Sequence, residues 1–276
     1  MTMHAAPSTT TSTTTSATTS TTLDTVVQHL DALLRTREIP DYPGALNGVQ
    51  VEHVGPVRRC AVAVDVSLRT IDGAVAAGAN LLIVHHGLFW GGIQPLRGRA
   101  FERVRRLIEH DVAVYASHLP LDLHPTLGNN ALLAQALGLT PSGGFARFQS
   151  VDVGVIGEAD IATSVIAAQL DTIARREGGA LVTVGLEPNR RTRRWAICTG
   201  AGASSESLRE AVAAGVDTLI VGEGPHHTGV EAPELGIAVL YAGHYATETF
   251  GVRALGAELE RAFGLPWSFV AAPTGL

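Results

Sequence analysis

Leu81-Leu82-Ile83-Val84-His85-His86-Gly87-Leu88-Phe89-Trp90 is the stretch from which the chain is best read. Its four apolar residues predict a buried strand. Two histidines arrive where the apolar run stops, and Gly87 breaks the strand. Neutral imidazoles at the end of a buried strand can hold a metal. They can equally be ordinary polar residues at a strand end, so the decision rests on what further ligands the chain supplies.

The flanking sequence reads as alternating strands and helices. Upstream, Leu23 to Arg37 carries Val26, Val27, Leu30, Leu33 and Leu34 at helical spacing. Asp41-Tyr42-Pro43-Gly44 is a turn, Asn47 to Val51 a turn entering a short strand, Cys60 to Val66 a strand, and Leu68 to Ala77 a helix closed by Gly78. Downstream come a helix around 100–110, a strand from Val112 to Ala116, and His118-Leu119-Pro120-Leu121-Asp122-Leu123-His124-Pro125, whose two prolines predict a loop. A helix from Asn130 to Leu137 follows. Residues 141–192 hold a strand (Val151–Ile156), a helix (Ile161–Arg175) and a strand (Ala180–Val184), read as a connecting subdomain. Residues 1–22 are almost all Thr, Ser and Ala, too poor in apolar surface to offset ordering entropy, and predict a disordered tail.

Composition removes several function classes. A chain of 276 residues with 46% hydrophobic and 17% charged residues fits a soluble globular protein with a real core. No apolar run approaches the ~20 residues of a membrane span, and the tail lacks the marks of a signal or transit peptide, so the expected location is the cytoplasm. A net charge of −6 without a basic block argues against nucleic-acid binding. All 20 basic residues are arginine, which excludes Schiff-base, pyridoxal-phosphate and Walker A lysines. Cys60 and Cys198 sit in apolar runs, so any metal should have nitrogen and oxygen ligands.

The third quarter of the chain echoes the first. Arg58-Arg59-Cys60-Ala61-Val62 resembles Arg193-Arg194-Trp195-Ala196-Ile197. Ala74-Val75-Ala76-Ala77-Gly78 matches Ala211-Val212-Ala213-Ala214-Gly215, and Leu82-Ile83-Val84 matches Leu219-Ile220-Val221. An offset of about 126 residues, counted along the chain, aligns Tyr115 with Tyr241, His118 with His244 and Asp122 with Glu248. Two pseudo-repeated halves, about 57–140 and 193–265, would face a shared cleft with their strand ends.

The candidate ligands are then His85, His86, Asp122, His244 and Glu248. His244 and Glu248 are one helical turn apart, so they can share a helix face. His85 and His86 can serve one metal only if the strand ends between them; otherwise they suit two metals side by side. Imidazoles with two carboxylates are enough for a dinuclear centre with a bridging carboxylate, taking Zn, Fe, Mn, Co or Ni. His118 and His124 flank Asp122 and could orient ligands or move protons, or merely cap loop carbonyls. The repeat turns Glu223, His226 and His227 toward the cleft, with a solvated loop as the alternative.

Together these motifs resemble the Nif-three-like family, also called GTP cyclohydrolase I type 2 homologues or dinuclear-metal-centre hexameric proteins. The matching stretches are Asn47-Gly48-Val49-Gln50-Val51-Glu52, Asp65-Val66-Ser67, Val84 to Trp90, His118 to Pro125 with Gly128-Asn129-Asn130, and Gly243 to Gly251. They span Leu23 to the C-terminus. The resemblance implies an α/β, two-lobed fold of the short form, a ring-shaped homohexamer, and the ligand set His85, His86, Asp122, His244 and Glu248. Two positions depart from the family pattern: Tyr245, where a second histidine is common, and Gly222-Glu223-Gly224-Pro225-His226-His227, which keeps only the Gly-Glu of Gly-Glu-Ile-Ser-Glu.

Two functions follow as expectations. One is a metal-dependent hydrolase of a small polar substrate (a nucleotide, cyclic amide or phosphoester), with hydroxide generated at the metals as nucleophile and His118, His124 or Glu223 shuttling protons. GTP ring opening is implied by the family name alone. The other is a metal-binding regulatory or scaffold hexamer without catalysis, whose metals would be saturated by protein ligands.

Overall fold

In the computed structural model, the described residues are 21–92 and 94–276. The expected disorder of residues 1–20 lies outside them. Thr21 and Thr22, read as part of that tail, belong to the folded lobe. Thr21–Thr22 (β1) pairs antiparallel with Pro56–Val57 (β3), and Thr22 accepts from the Thr25 N–H to cap the first helix, Leu23–Leu34 (α1).

The first sheet contains Gly48–Val51 (β2), Cys60–Asp65 (β4), Leu81–His86 (β5) and Ala113–Ala116 (β6), joined by the C-terminal strand Trp267–Phe269. Its spatial order is C-terminal strand, β4, β5, β6, β2, all parallel except β2. Two helices cross over between its parallel strands, Leu68–Ala76 (α2) and Arg99–Glu109 (α3). Two more follow β6, Leu119–Asp122 (α4) and Asn129–Ala136 (α5). The second sheet contains Pro141–Phe148 (β7), Val151–Ala162 (β8), Val182–Val184 (β9), Arg191–Cys198 (β10), Thr218–Val221 (β11) and Ala238–Tyr241 (β12), in the order β7-β8-β10-β11-β12-β9. Its helices are Thr163–Arg176 (α6), Ser205–Ala213 (α7), His226–Glu234 (α8) and His244–Phe263 (α9), after which Trp267–Phe269 becomes β13. Residues 141–192 therefore do not stand apart as a connector: β7, β8 and β9 lie in the same sheet as β10–β12.

The repeat holds in three dimensions. β4, β5 and β6 run parallel, as do β10, β11 and β12. The crossover helix of each half opens on a serine capping box, Ser67 with Thr70 and Ser204 with Ser207. Each closes on a glycine at φ +70°, Gly78 and Gly215. The strand register corrects one alignment. Val84 pairs with Ala116 and Val221 with Tyr241, so Tyr241 corresponds to Ala116 and not to Tyr115. A slip of one residue exchanges the faces of a strand. Tyr115 accordingly packs in the core toward α1 and α9, while Tyr241 packs toward α7 and α8.

The central strands are apolar throughout because both faces are covered. Val62, Leu81, Ile83 and Tyr115 pack on α1 and α9, while Ala63, Leu82, Val84 and Val114 pack on α2 and α3. In the second sheet Trp195, Ile197, Ile220 and Leu240 face α5 and α6; Ala196, Leu219, Val221 and Val239 face α7 and α8. Helix α9 serves both lobes, since Val252, Leu255 and Leu259 join the first sheet's core and Phe250 packs on the second's. This brings the carboxyl ends of β4, β5 and β10 to one cleft of about 720 Å3, lined by Asp65, His86, Cys198, Glu223, His244 and Glu248 among others. Ligands of open α/β sheets ordinarily bind at such ends. Among the described residues no helix is long and apolar enough to cross a membrane.

Candidate metal centre

His85 and His86 are the last two residues of β5, and their rings converge on the cleft, with centroids 4.8 Å apart. His85 is fully buried, and His86 is only 13% exposed at its side chain. The Nδ1 of His85 donates to the Ser117 carbonyl at 2.9 Å. A carbonyl oxygen can only accept, so in the neutral ring Nε2 keeps its lone pair. That Nε2 stands 3.5 Å from Asp122 Oδ2 and 3.5 Å from Glu248 Oε1.

The other imidazoles are held the same way. His86 Nδ1 donates to Asp65 Oδ1 at 2.9 Å, and its Nε2 is 3.5 Å from Glu248 Oε2. His244, the first residue of α9, donates from Nδ1 to Glu223 Oε1 at 2.8 Å and places Nε2 3.1 Å from Glu248 Oε2. His118 donates from Nδ1 to Asp41 Oδ1 at 2.8 Å, and its ring centroid lies 4.9 Å from that of His85. Each ring is anchored at Nδ1 on an oxygen acceptor, which is how proteins commonly fix an imidazole whose Nε2 takes an ion.

Asp122 ends α4, where a loop was expected. Pro120 sits in the first turn of that helix, where a missing N–H has no helical acceptor to lose. Asn129 donates to Asp122 Oδ1 at 2.8 Å, leaving Oδ2 for His85. Asn129 Oδ1 in turn accepts from the Gly251 N–H at 2.7 Å, tying α5 to α9.

All five expected ligands therefore meet, and His118 joins His85 and His86 in one potential ligand group. His124 does not join them. Its Nδ1 accepts from the backbone N–H of Leu127 at 3.0 Å, and burial with Glu258 as its charged neighbour, not the cleft, sets its environment. The turn of α4 carries it away from Asp122. Glu223 reaches the site through the His244 ring it holds. His226 and His227 are exposed at the start of α8, the solvated alternative.

Electrostatics within the cluster are strong. Burial disfavours the charged form of His85, but Asp122 and Glu248 outweigh it and raise its pKa well above the ordinary value. Burial likewise opposes charge on Glu248, yet His86, His85 and His244 hold its carboxyl well below the usual range. His244 is raised to about 9, burial being overcome by Glu248 and Glu223. A histidine raised on folding contributes stability that is complete below its ordinary 6.5 and lost as the pH climbs through about 9. Glu248 contributes in the opposite direction, above its ordinary 4.5 and lost in acid. Chelator-treated protein is therefore expected to melt at progressively lower temperature from about pH 6.5 to about pH 9. A midpoint that rises across that interval would contradict this arrangement.

Among the five expected ligands, two buried atoms, His85 Nε2 and Glu248 Oε2, have no hydrogen-bond partner. Such atoms cost about 1–3 kcal/mol each unless something else satisfies them. Both point into the cluster, and their donor types suit a divalent cation. Gly200, in the loop after β10, is equally specific: it sits at φ +63°, and a Cβ there would run into Glu248 Oε1 and stand 3.3 Å from His244 Nε2. Sequence reasoning gave no role to Gly200, Asp41, Asp65, Ser117 or Asn129. Asp65 and Asn129 lay in quoted motifs, but Ser117 acts through its backbone and Gly200 through a missing atom, which no side-chain pattern signals.

Known proteins share this architecture. Residues 21–273 match the family model described as Duf34/NIF3 (NGG1p interacting factor 3). A Deinococcus radiodurans protein called GTP cyclohydrolase 1 type 2 homolog is 43% identical over 256 residues, covering 92% of this chain and 94% of its own. A Pyrococcus horikoshii protein of the same description is 39% identical over 261 residues, covering 92% of this chain and 99% of its own. A solved structure from Thermus thermophilus superposes with a TM-score of 0.80 at 37% identity, covering 92% of this chain and 99% of its own.

Proposed function

The chain belongs to the Duf34/NIF3 family, and on that premise we propose that it is a metal-dependent hydrolase of a small polar substrate, whose two divalent ions would be held by this cluster with Glu248 offering one carboxylate oxygen to each. The observation that carries this reading is the division of the Glu248 carboxylate. Oε1 faces His85, which also faces Asp122, and Oε2 faces His86 and His244. One ion would be held by His85, Asp122 and Glu248, the other by His86, His244 and Glu248. Nitrogen and oxygen donors of this kind suit Zn, Fe, Mn, Co or Ni.

Divalent ions here would supply Lewis acidity and water of lowered pKa. The residues of the chain do the rest. Asp65, Ser117 and Glu223 fix the three imidazole rings, so Glu223 is a positioning residue and not a proton shuttle. His118 is placed to exchange a proton at Nε2, because Asp41 holds its Nδ1 and burial keeps the ring within the cleft. Three protein donors per ion are fewer than the four that close a structural site, and the cleft beside them can admit a substrate. Both features support catalysis over a scaffold role. The homohexamer is part of the same proposal, and light scattering of the purified chain tests it.

Metal-loaded protein assayed against GTP, cyclic amides and phosphoesters tests the reaction. Turnover of at least one class is expected, with His118→Asn keeping its metal and losing roughly 10²- to 10⁴-fold in kcat. A fully loaded wild type that leaves the whole panel untouched would sink the hydrolase reading.

A further inference from the structure

The outer part of the β7–β8 hairpin reaches past the strand that supports it. β8 pairs with β10 only as far as Val155, so residues 145–154 project beyond the carboxyl end of β10. Ala146, Arg147 and Phe148 line the cleft there. The Phe148 ring lies 4.7 Å from that of Tyr42, which belongs to the first lobe, so the hairpin crosses the mouth of the cleft. Beneath it Cys198 is 8% exposed, in one apolar cluster with Phe145 and Ala203, against which Ala146 packs. The proposed chemistry makes no use of this hairpin.

Its backbone is strained. Ala146 sits at φ +59° and Gln149 at φ +49°, a region that residues with a Cβ rarely adopt. Gln149 opens the two-residue turn between Phe148 and Val151, a place that ordinarily takes glycine. Strain of this kind persists only where neighbours over-determine it, and it gathers at clamps and switch segments. Three neighbours hold the hairpin. Glu210 on α7 accepts from the Ala146 N–H at 2.8 Å and the Arg147 N–H at 3.0 Å. Two successive N–H groups can meet one carboxylate where the backbone turns left-handed. Asn130 donates to the Val153 carbonyl at 2.9 Å. The third hold is the Tyr42 ring, fixed in turn by Asp41, which accepts from the Tyr42 N–H at 2.7 Å and from Asn47 at 2.8 Å. Arg147 bonds within the hairpin, to Asp152 at 3.0 Å and to the Gln149 carbonyl at 3.1 Å, so the tip can move as one piece.

We propose that residues 145–154 form a flap over the cleft, held shut under strain by Glu210 and Tyr42, and that its release uncovers the cleft wall at Cys198. Such flaps commonly gate the entry and exit of small molecules. The inference goes beyond the metal reading and does not depend on it, since neither the flap nor the residues that hold it belong to the expected ligands. The holds are weak enough to open. One aromatic contact biases an equilibrium by roughly 2- to 10-fold, and a carboxylate that accepts from two N–H groups by more.

Full-length protein, as purified, is treated with N-ethylmaleimide, and labelling of Cys198 and Cys60 is followed by peptide mass spectrometry. Buried thiols react only when uncovered, and Cys60, fully buried in the first sheet, reports opening of the whole chain. Phe148→Ala and Glu210→Ala should each speed Cys198 labelling roughly 3- to 10-fold and leave Cys60 unchanged. Ala146→Gly, whose backbone adopts the left-handed region freely, should slow Cys198 labelling roughly 2- to 5-fold. Unchanged Cys198 rates in both alanine variants overturn the inference. Equal acceleration at Cys60 and Cys198 overturns it too, because the chain is then opening as a whole. So does faster Cys198 labelling in Ala146→Gly, since relief of the strain must favour the closed flap.

Discussion

Glu248→Ala is expected to empty both proposed metal sites at once. Glu248 is 2% exposed, and each of its oxygens faces a different set of imidazoles. Loss of a partner that merely orients a ligand commonly costs 10- to 100-fold in metal affinity. Loss of the shared carboxylate should cost more than ~100-fold for both ions, and also remove the negative charge that offsets them. The imidazoles of His85 and His86 would then face each other with Asp122 as the remaining carboxylate donor close to His85. Glu248→Gln is the matching control, since it keeps the volume and loses the charge. Elemental analysis after gel filtration should find almost no metal in either variant, while circular dichroism finds a folded chain. Retention of wild-type metal content by Glu248→Ala would contradict the bridging role.

Gly200→Ala should have the second largest effect, although the change is one methyl group remote from any ligand in sequence. Two costs coincide. An L-residue at φ +63° pays about 1–2 kcal/mol relative to glycine. The new Cβ would also collide with Glu248 Oε1 and crowd His244 Nε2, so the carboxylate must rotate away from His85. Metal affinity is expected to fall at least ~10-fold, by analogy with the loss of a ligand's orienting partner. The melting temperature of the metal-free protein should drop by only a few degrees. Gly78→Ala provides the comparison. It sits at φ +70° with nothing within 4 Å of its Cβ, so it bears the backbone cost without the collision. Equal metal loss in both variants would show that backbone strain, and not displacement of Glu248, is responsible.

Much of the fold is legible because its central strands are buried on both faces and read as unbroken apolar runs, Leu81–Val84 and Leu219–Val221 alike. Strand β7 escapes such reading. It opens Pro141-Ser142-Gly143-Gly144, lies at the sheet edge and is mostly exposed, where proline and glycine are tolerated and no apolar pattern is demanded. The repeat located Asp122 and Glu248 together, yet its alignment was one residue out in the strand before them. The error arises because the halves diverge after that strand: the first continues with a one-turn helix and a second helix, the second with the single long α9. Spacing alone could not orient His124, which is two residues from Asp122 but turned away by that short helix. Nor could it show that Glu223 works by holding His244. Direction of a side chain is a three-dimensional property, and the sequence carries it only where periodicity enforces it.

The central claim is that Glu248 joins two ions in one chain. The direct measurement is the stoichiometry of divalent metal bound by the wild-type protein, stripped with chelator, titrated with Zn or Mn and followed by elemental analysis of the equilibrated chain. The structure-based reading predicts saturation at two ions per chain. Saturation at one ion, or no uptake, would contradict it.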